Sequence, residues 1–366
     1  MTETIKRLIL CQIPLQTCNL KCSYCYIPQR VGWDEKENYP FHYSPEHIAK
    51  CLSKERLGGI CQVNLTAHGE TMLYKDLVRL TQLLLEEGHF VEIVTNGTVS
   101  KVVQELLALP SKDLERLEFK ISYHYSELKR LDIFDKFAQN VHEIENSPAS
   151  FTLELMPYDD LEKDLDELIN VTNREFGAVC HATVGRDETN SKFPLLTNKT
   201  RKEYVETWGV LDSKMFDFKM DLYKAKRNEF CYAGAWSLFV DIATGEARQC
   251  YRYPNNQNIF KDPEKPIKFV PVGYHCPESY CFNGHAHMAF GLIPEYDKAT
   301  YYEVRDRETQ SGDHWIKQPC ADFYSHKLNE ANSEYTKKEK VLNSLRFPFS
   351  MTKMVFRTIK RKLIKS

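Results

Sequence analysis

The sequence predicts an α/β fold on a parallel sheet, and three observations point there. Apolar extended runs alternate with amphipathic segments from Ile5 to about Lys226, the pattern of repeated strand-helix units. Helix caps and breakers punctuate that alternation. The length of 366 residues accommodates one barrel-sized domain plus an appendage.

Six strands are expected, at Arg7 to Pro14, Cys61 to Ala67, Phe90 to Thr95, Leu117 to Tyr123, Phe151 to Met156 and Ala178 to Val184. The helices between them follow from caps and stops. Pro45 to Lys54 starts after Ser44, Lys75 to Glu87 ends at Gly88, and Lys101 to Leu109 ends at Pro110. Ile133 to Ile144 comes next, then Leu161 to Phe176, closed by Gly177. One long helix, Tyr204 to Lys226, follows the sixth strand. Six units are too few for a closed eight-fold barrel.

Composition sets the class. A hydrophobic share of 42% and a charged share of 27% are those of an ordinary folded protein. No apolar run approaches membrane-spanning length. Lys6 and Arg7 followed by Leu8-Ile9-Leu10-Cys11 imitate a short signal or lipidation box, but the stretch is short and no small residue precedes Cys11. A cytoplasmic location is therefore expected. In a reducing compartment, metal or cluster ligation accounts for the 12 cysteines better than disulfides do.

Three cysteines stand first in importance. Thr17-Cys18-Asn19-Leu20-Lys21-Cys22-Ser23-Tyr24-Cys25 places Cys18, Cys22 and Cys25 in a Cys-x3-Cys-x2-Cys spacing just after the first strand. They supply three of the four thiolates that a cubic iron-sulfur cluster takes, leaving one iron open to a small molecule. Zinc would call for a fourth Cys or His, and the nearest downstream histidine, His42, is a poor partner.

This spacing resembles that of the radical S-adenosylmethionine (SAM) enzymes, in which an aromatic precedes the third cysteine, as Tyr24 does here. The resemblance implies a partial (β/α)6 TIM-like barrel over residues 1–226, with the chemistry at the carboxyl ends of its strands. It also implies a [4Fe-4S] cluster whose open iron holds SAM, and a reducing protein such as flavodoxin or ferredoxin as partner. Ala67-His68-Gly69-Glu70-Thr71 resembles the family's Gly-Gly-Glu-Pro segment. Gly69 and Glu70 keep its core, while His68 and Thr71 depart from it. Thr95-Asn96-Gly97-Thr98 is similar to a family segment at the end of the third strand, and Ser122 stands where a serine often bonds the cofactor ribose. Glu154, an acid within the fifth strand, faces either solvent or the barrel lumen, the latter implying a polar cofactor or substrate. His124 and Arg186, beyond strands four and six, are candidate substrate contacts, with an exposed loop position as the alternative.

A second cysteine group lies at 227–300. Cys231, thirteen residues, Gly245, four residues and Cys250 resemble the opening of the SPASM and twitch auxiliary-cluster modules. The segment reads as a hairpin, Ser237 to Ile242 and Glu246 to Tyr251, turning near Thr244-Gly245. Cys276 and Cys281 complete a set of four, enough for one auxiliary [4Fe-4S] cluster rather than the two of a full SPASM module. Zinc is the rival, with His275, His285 and His287 close in sequence.

Residues 301–366 are expected to end in a helical basic tail. From Lys337 to Ser366, ten Lys or Arg residues face Glu339 alone, giving +9 within a chain of net charge −2. Met351, Met354, Val355, Ile359 and Leu363 recur at helical spacing among the basic residues, a pattern suited to a membrane surface or to packing on the protein's own domain. Thr300 to Arg307, rich in charge and tyrosine, reads first as a solvated segment, with packing across the cysteine module or closure of the site as the alternative. No nucleic acid partner is expected.

The expected activity is therefore radical generation from SAM and hydrogen abstraction from a substrate the sequence leaves unidentified. A small polar or sugar-like molecule undergoing net oxidation is preferred. A modified peptide is the alternative, disfavoured because the chain enters its first strand with no room for a fused leader-binding domain. A cluster- or zinc-binding interaction protein is the non-enzyme rival.

Overall fold

The structure, a computed structural model, describes residues 3–30, 40–190, 192–251, 253, 256–276, 278, 280–281 and 284–345. Its frame is one sheet. Six strands run parallel in sequence order, β1 (Arg7–Ile13), β2 (Cys61–Ala67), β3 (Phe90–Thr95), β4 (Leu117–Ser122), β5 (Ser150–Leu155) and β6 (His181–Ala182). Helices between them cover the outer face, as parallel strands require. Leu80, Leu84 and Leu85 of Leu77–Glu86 and Phe137, Val141 and Ile144 of Phe134–Glu145 are buried in this way.

Beyond β1 the sheet continues. β7 (Ser237–Asp241) pairs in parallel with β1, and β8 (Glu246–Arg248) and β9 (Asn256–Asn258) add antiparallel. The expected hairpin is thus present and continuous with the barrel sheet, in the order β6-β5-β4-β3-β2-β1-β7-β8-β9. At its turn Gly245 has φ 75° and lies against Phe260, so a side chain there would be both strained and crowded.

Three expectations are corrected. The sixth strand is only two residues long, because as an edge strand it has one neighbour and the Cys180 carbonyl instead accepts from Arg307. The long helix at 204–226 is two helices, Arg201–Gly209 and Lys214–Leu222. Ser213 caps the second through Phe216 N at 3.2 Å, after Asp212 takes a left-handed turn at φ 45°. Finally, Thr300 to Arg307 is not a solvated segment. Thr300 and Glu303 form a capping box, and the helix Tyr301–Arg305 buries Tyr301, Val304 and Arg305 completely or nearly so.

That burial belongs to a second core, distinct from the one between sheet and outer helices. Phe230, Tyr232, Trp236, Phe290, Tyr301 and Tyr324 pack with Ile5, Leu8 and Phe90 from the starts of β1 and β3. Phe323 stacks on Phe90 with ring centroids 3.8 Å apart. The chain after the barrel therefore closes the end of the sheet opposite the strands' carboxyl ends. Residues 337–345 are helical and leave Val341, Leu342 and Leu345 exposed. The rest of the basic tail, 346–366, lies outside the described residues, and among those described no helix is long and apolar enough to cross a membrane.

Candidate functional site

The carboxyl ends of the parallel strands open on a cavity of about 670 Å³ whose wall includes Cys18, Cys22 and Cys25. The cysteine loop that follows β1 is held from three sides. Lys21 N donates to Glu127 Oε2 at 3.2 Å, and Arg130 grips the same carboxylate. Asn96 Nδ2 donates to Asn19 Oδ1 at 2.8 Å while Asn19 Nδ2 donates to Thr98 Oγ1 at 2.7 Å. On the third side, Gly69 N and Glu70 N donate to the carbonyls of Leu15 and Thr17 at 2.7 and 2.9 Å.

Gly69 has to be glycine. A Cβ built on it would lie 2.0 Å from the Thr17 carbonyl oxygen, so only a residue without one permits this backbone approach. Glu70 spends its carboxylate locally. Buried, it accepts from Met72 N, Thr95 Oγ1 and Asn96 N at 2.9, 2.6 and 2.7 Å. Burial raises its pKa against the opposing pull of those bonds. The segment resembling Gly-Gly-Glu-Pro thus joins β2 and β3 to the cysteine loop by side-chain and main-chain bonds.

Tyr24 lies between two rings. It stacks on Tyr158 at 4.2 Å between centroids and shares a 2.7 Å hydrogen bond with His124 Nδ1. The same nitrogen is 3.5 Å from Cys22 Sγ. His124 is therefore drawn into the cysteine loop rather than left on an exposed one, and burial lowers its pKa to about 4, so the ring is neutral.

The three thiols fit a cluster. They face one cavity and each of Cys18 and Cys22 feels the charge of Cys25, while burial raises Cys18 to about 11 and Cys22 to about 12. Buried thiols of this kind ionise readily only with a cation at hand, which iron supplies. Leu20 N at 3.5 Å and Asn96 Nδ2 at 3.9 Å both point to Cys18 Sγ, and bonds of that type tune a cluster's potential.

Below this rim the lumen is charged. Alternate residues of the strands point inward, putting Asn64, Glu92, Lys120, Ser122 and Glu154 on the cavity wall. Glu154 faces the lumen. It accepts from Arg305 and lies 3.5 Å from Lys120. Burial would raise its pKa, but Arg305, Lys120 and Lys219 outweigh it and hold the carboxyl below the usual range. Tyr301 donates to Glu92, and Arg305 also reaches Thr152 Oγ1 at 3.2 Å. Arg186 lines the upper wall near Glu188, 3.4 Å away.

Glu92, Lys120, Lys219 and Arg305 escaped sequence reasoning. The inward period-two positions of β3 and β4, Phe-Val-Glu-Ile-Val-Thr and Leu-Glu-Phe-Lys-Ile-Ser, carried a signal for the first two. Lys219 and Arg305 come from helices far along the chain and carried none.

Cys231 is held by an antiparallel bridge to Gly273, and its buried sulfur feels the charges of Cys281, Cys250 and Cys276. Four thiolates are the complement of a closed cluster or a tetrahedral zinc, and among the described residues no group of three His, Cys, Asp or Glu side chains stands gathered as for a bound metal ion. His287 Nδ1 is 3.9 Å from Cys281 Sγ.

Comparison with protein families matches residues 13–131 to the Radical SAM superfamily. Among solved structures the chain is similar to Streptococcus suis SuiB bound to S-adenosylmethionine, with 15% identity over 71% of this chain and 64% of that one and a TM-score of 0.47. It is also similar to anSMEcpe with bound AdoMet, with 14% identity over 94% of each chain and a TM-score of 0.49. BtrN in complex with AdoMet and 2-DOIA follows at 15% identity, over 80% and 83%, with a TM-score of 0.35. The chain thus spans just under two thirds of SuiB. No curated protein matches its sequence.

Proposed function

We propose, from the premise that residues 13–131 belong to the radical SAM superfamily, that this chain is an enzyme generating a substrate radical by means of SAM and a [4Fe-4S] cluster on Cys18, Cys22 and Cys25. The chemistry the bound cluster and SAM supply is reductive cleavage to methionine and a 5′-deoxyadenosyl radical, which takes a hydrogen from the substrate. The observation that carries the reading is the placement of all three thiols on one cavity at the strands' carboxyl ends, within the matched span. An electron donor is required, and a flavodoxin or ferredoxin is the proposed partner.

The chain's own residues bind and orient. Tyr24, Asn96 and the Gly69-Glu70 segment keep the cysteine loop in place, with Gly69 leaving backbone room beside it. Ser122 is the proposed ribose contact and Glu154 the proposed polar contact deeper in the lumen. Arg186 is proposed to touch substrate. For His124 the bonds to Tyr24 and Cys22 favour a positioning role. A lumen walled by Asn64, Glu92, Lys120 and Glu154 supports a small polar substrate over an apolar one.

Cys231, Cys250, Cys276 and Cys281 are proposed to hold one auxiliary [4Fe-4S] cluster. Four thiolates would close it, so its proposed role is to accept an electron in a net oxidation. The test is iron, sulfide and zinc analysis of anaerobically reconstituted protein. About eight irons should fall to about four in a Cys18, Cys22 and Cys25 triple alanine variant. Zinc with no iron in that variant would overturn the auxiliary assignment. The basic tail is proposed to attach the cytoplasmic enzyme peripherally to anionic membrane. Equal sedimentation with anionic liposomes of full-length chain and chain ending at Leu345 would overturn that.

A further inference from the structure

Among the described residues no carboxylate lies within ion-pair distance of Lys219, a cation of the barrel. Lys219, on the helix Lys214–Leu222, extends into the cavity that the three cysteines face. An ammonium carries three N–H donors. Among the described residues its single hydrogen-bond acceptor is the Thr183 hydroxyl, and no carboxylate pairs with it. The charged groups acting on it most strongly are Glu154, Lys120, Arg186 and Arg305, three cations against one anion. Glu154 is already shared by Arg305 and Lys120. A cation in this position is costly unless something neutralises it.

Beside it stands a second idle donor. His285, on the short helix Gly284–His287, lines the same cavity and has a buried Nδ1 with no hydrogen-bond partner among the described residues. Lys219, Lys120 and Arg305 are the charges that, after burial, keep its ring neutral. A neutral imidazole whose tautomer no protein group fixes can present Nδ1–H to a ligand. About nine in ten buried polar groups in folded proteins have a hydrogen-bond partner, and of those without one among the described residues His285 Nδ1 is the one set on this wall with Lys219 acting on it. Two open donors from different elements, meeting on one cavity wall, define a place for an acceptor with negative charge.

We propose that Lys219 and His285 form an anion subsite that takes a carboxylate or phosphate group of the substrate and so orients it toward the SAM-facing side of the cavity. This rests on the radical SAM reading and narrows its substrate class from polar to polar and anionic. Lys120, paired with Glu92 and Glu154, and Arg186, paired with Glu188, flank the subsite, and Thr183 holds the Lys219 amine in place. Sequence alone could not find the subsite, because its two members lie on helices 66 residues apart by number (285 − 219).

The test uses full-length, cluster-reconstituted protein saturated with SAM, kept anaerobic and without reductant, titrated calorimetrically with inorganic phosphate and separately with succinate. Saturating SAM keeps the probes from the SAM site. The wild type should bind at least one of them, the preferred probe distinguishing a phosphate from a carboxylate. Affinity should fall tenfold or more in Lys219→Met, fall to a smaller extent in His285→Phe, and stay within threefold in Lys219→Arg. Because burial lowers the lysine to about 7, binding near pH 7.5 should also take up protons, seen as a dependence of the heat on buffer ionisation. That uptake should vanish in Lys219→Arg, which binds but does not titrate. Methionine approximates lysine's shape, one atom shorter and without its charge, so thermal unfolding of Lys219→Met should be no lower than wild type. Lack of binding by the wild type, or equal binding by wild type and Lys219→Met, overturns the inference. 5′-Deoxyadenosine formation, measured separately on wild type with dithionite, tests the parent reading. Its absence alongside Lys219-dependent binding would overturn the radical chemistry and support the subsite.

Discussion

Replacing Arg305 with methionine should destabilise the protein more than any surface substitution, and the structure sets how much. The guanidinium is fully buried beside a carboxylate, Glu154, whose side chain is only 11% exposed. Removing one member of such a pair leaves an uncompensated buried charge and costs about 3–5 kcal/mol. Lys120 remains 3.5 Å from Glu154, so a value near the lower end, about 3 kcal/mol, is expected. With a urea slope of about 3 kcal/mol/M for a chain of this size, the unfolding midpoint should drop by about 1 M. Adding Glu154→Gln should recover part of that loss, because the orphaned charge then disappears along with its partner. Equilibrium urea unfolding followed by tryptophan fluorescence measures both variants. A midpoint within about 0.2 M of wild type for Arg305→Met, or a double variant less stable than the single one, would refute the reasoning.

Further outcomes follow from the same geometry. Gly69→Ala should push Thr17 away, since its Cβ would sit 2.0 Å from that carbonyl oxygen, and reconstituted iron should fall by about half as the first cluster is lost. Full iron loading would refute the close approach. Glu118, inside the lumen, is raised to about 7 by burial and by Glu92, against Arg305 and Lys120. The folded state thus holds its proton more tightly than the unfolded one, so its stabilisation is complete below about pH 4 and lost as pH rises through about 7. Glu118→Gln should accordingly gain stability over wild type between pH 6 and pH 9, read as the difference in thermal midpoints. A pH-independent difference would contradict that sign.

Strands were legible because in β2 and β3 apolar residues recur between clear stops, interrupted by inward polar ones such as Asn64 and Glu92, and their bounds match the sequence reading residue for residue. The sixth strand was overread, since apolar character from Ala178 to Val184 says nothing of an arginine taking the edge carbonyl. Ser213 and Gly209 marked the break in the long helix, but the hydrophobic rhythm ran across them. The cysteine loop was readable from spacing alone. Its supports were not, because Glu127, Thr98 and His124 meet it only through the fold. Hardest to see was Arg305, whose partners Thr152 and Glu154 lie about 150 residues earlier. A dense run of charge looks solvated until the strand that neutralises it is known.

SAM cleavage at the first cysteine set is the property most directly measured. Anaerobically reconstituted wild type should form 5′-deoxyadenosine and methionine from SAM when given dithionite. Alanine at any one of Cys18, Cys22 and Cys25 should abolish the product while leaving the auxiliary iron in place. Deoxyadenosine formed at wild-type rate by any of the three variants would contradict a radical cluster on Cys18, Cys22 and Cys25.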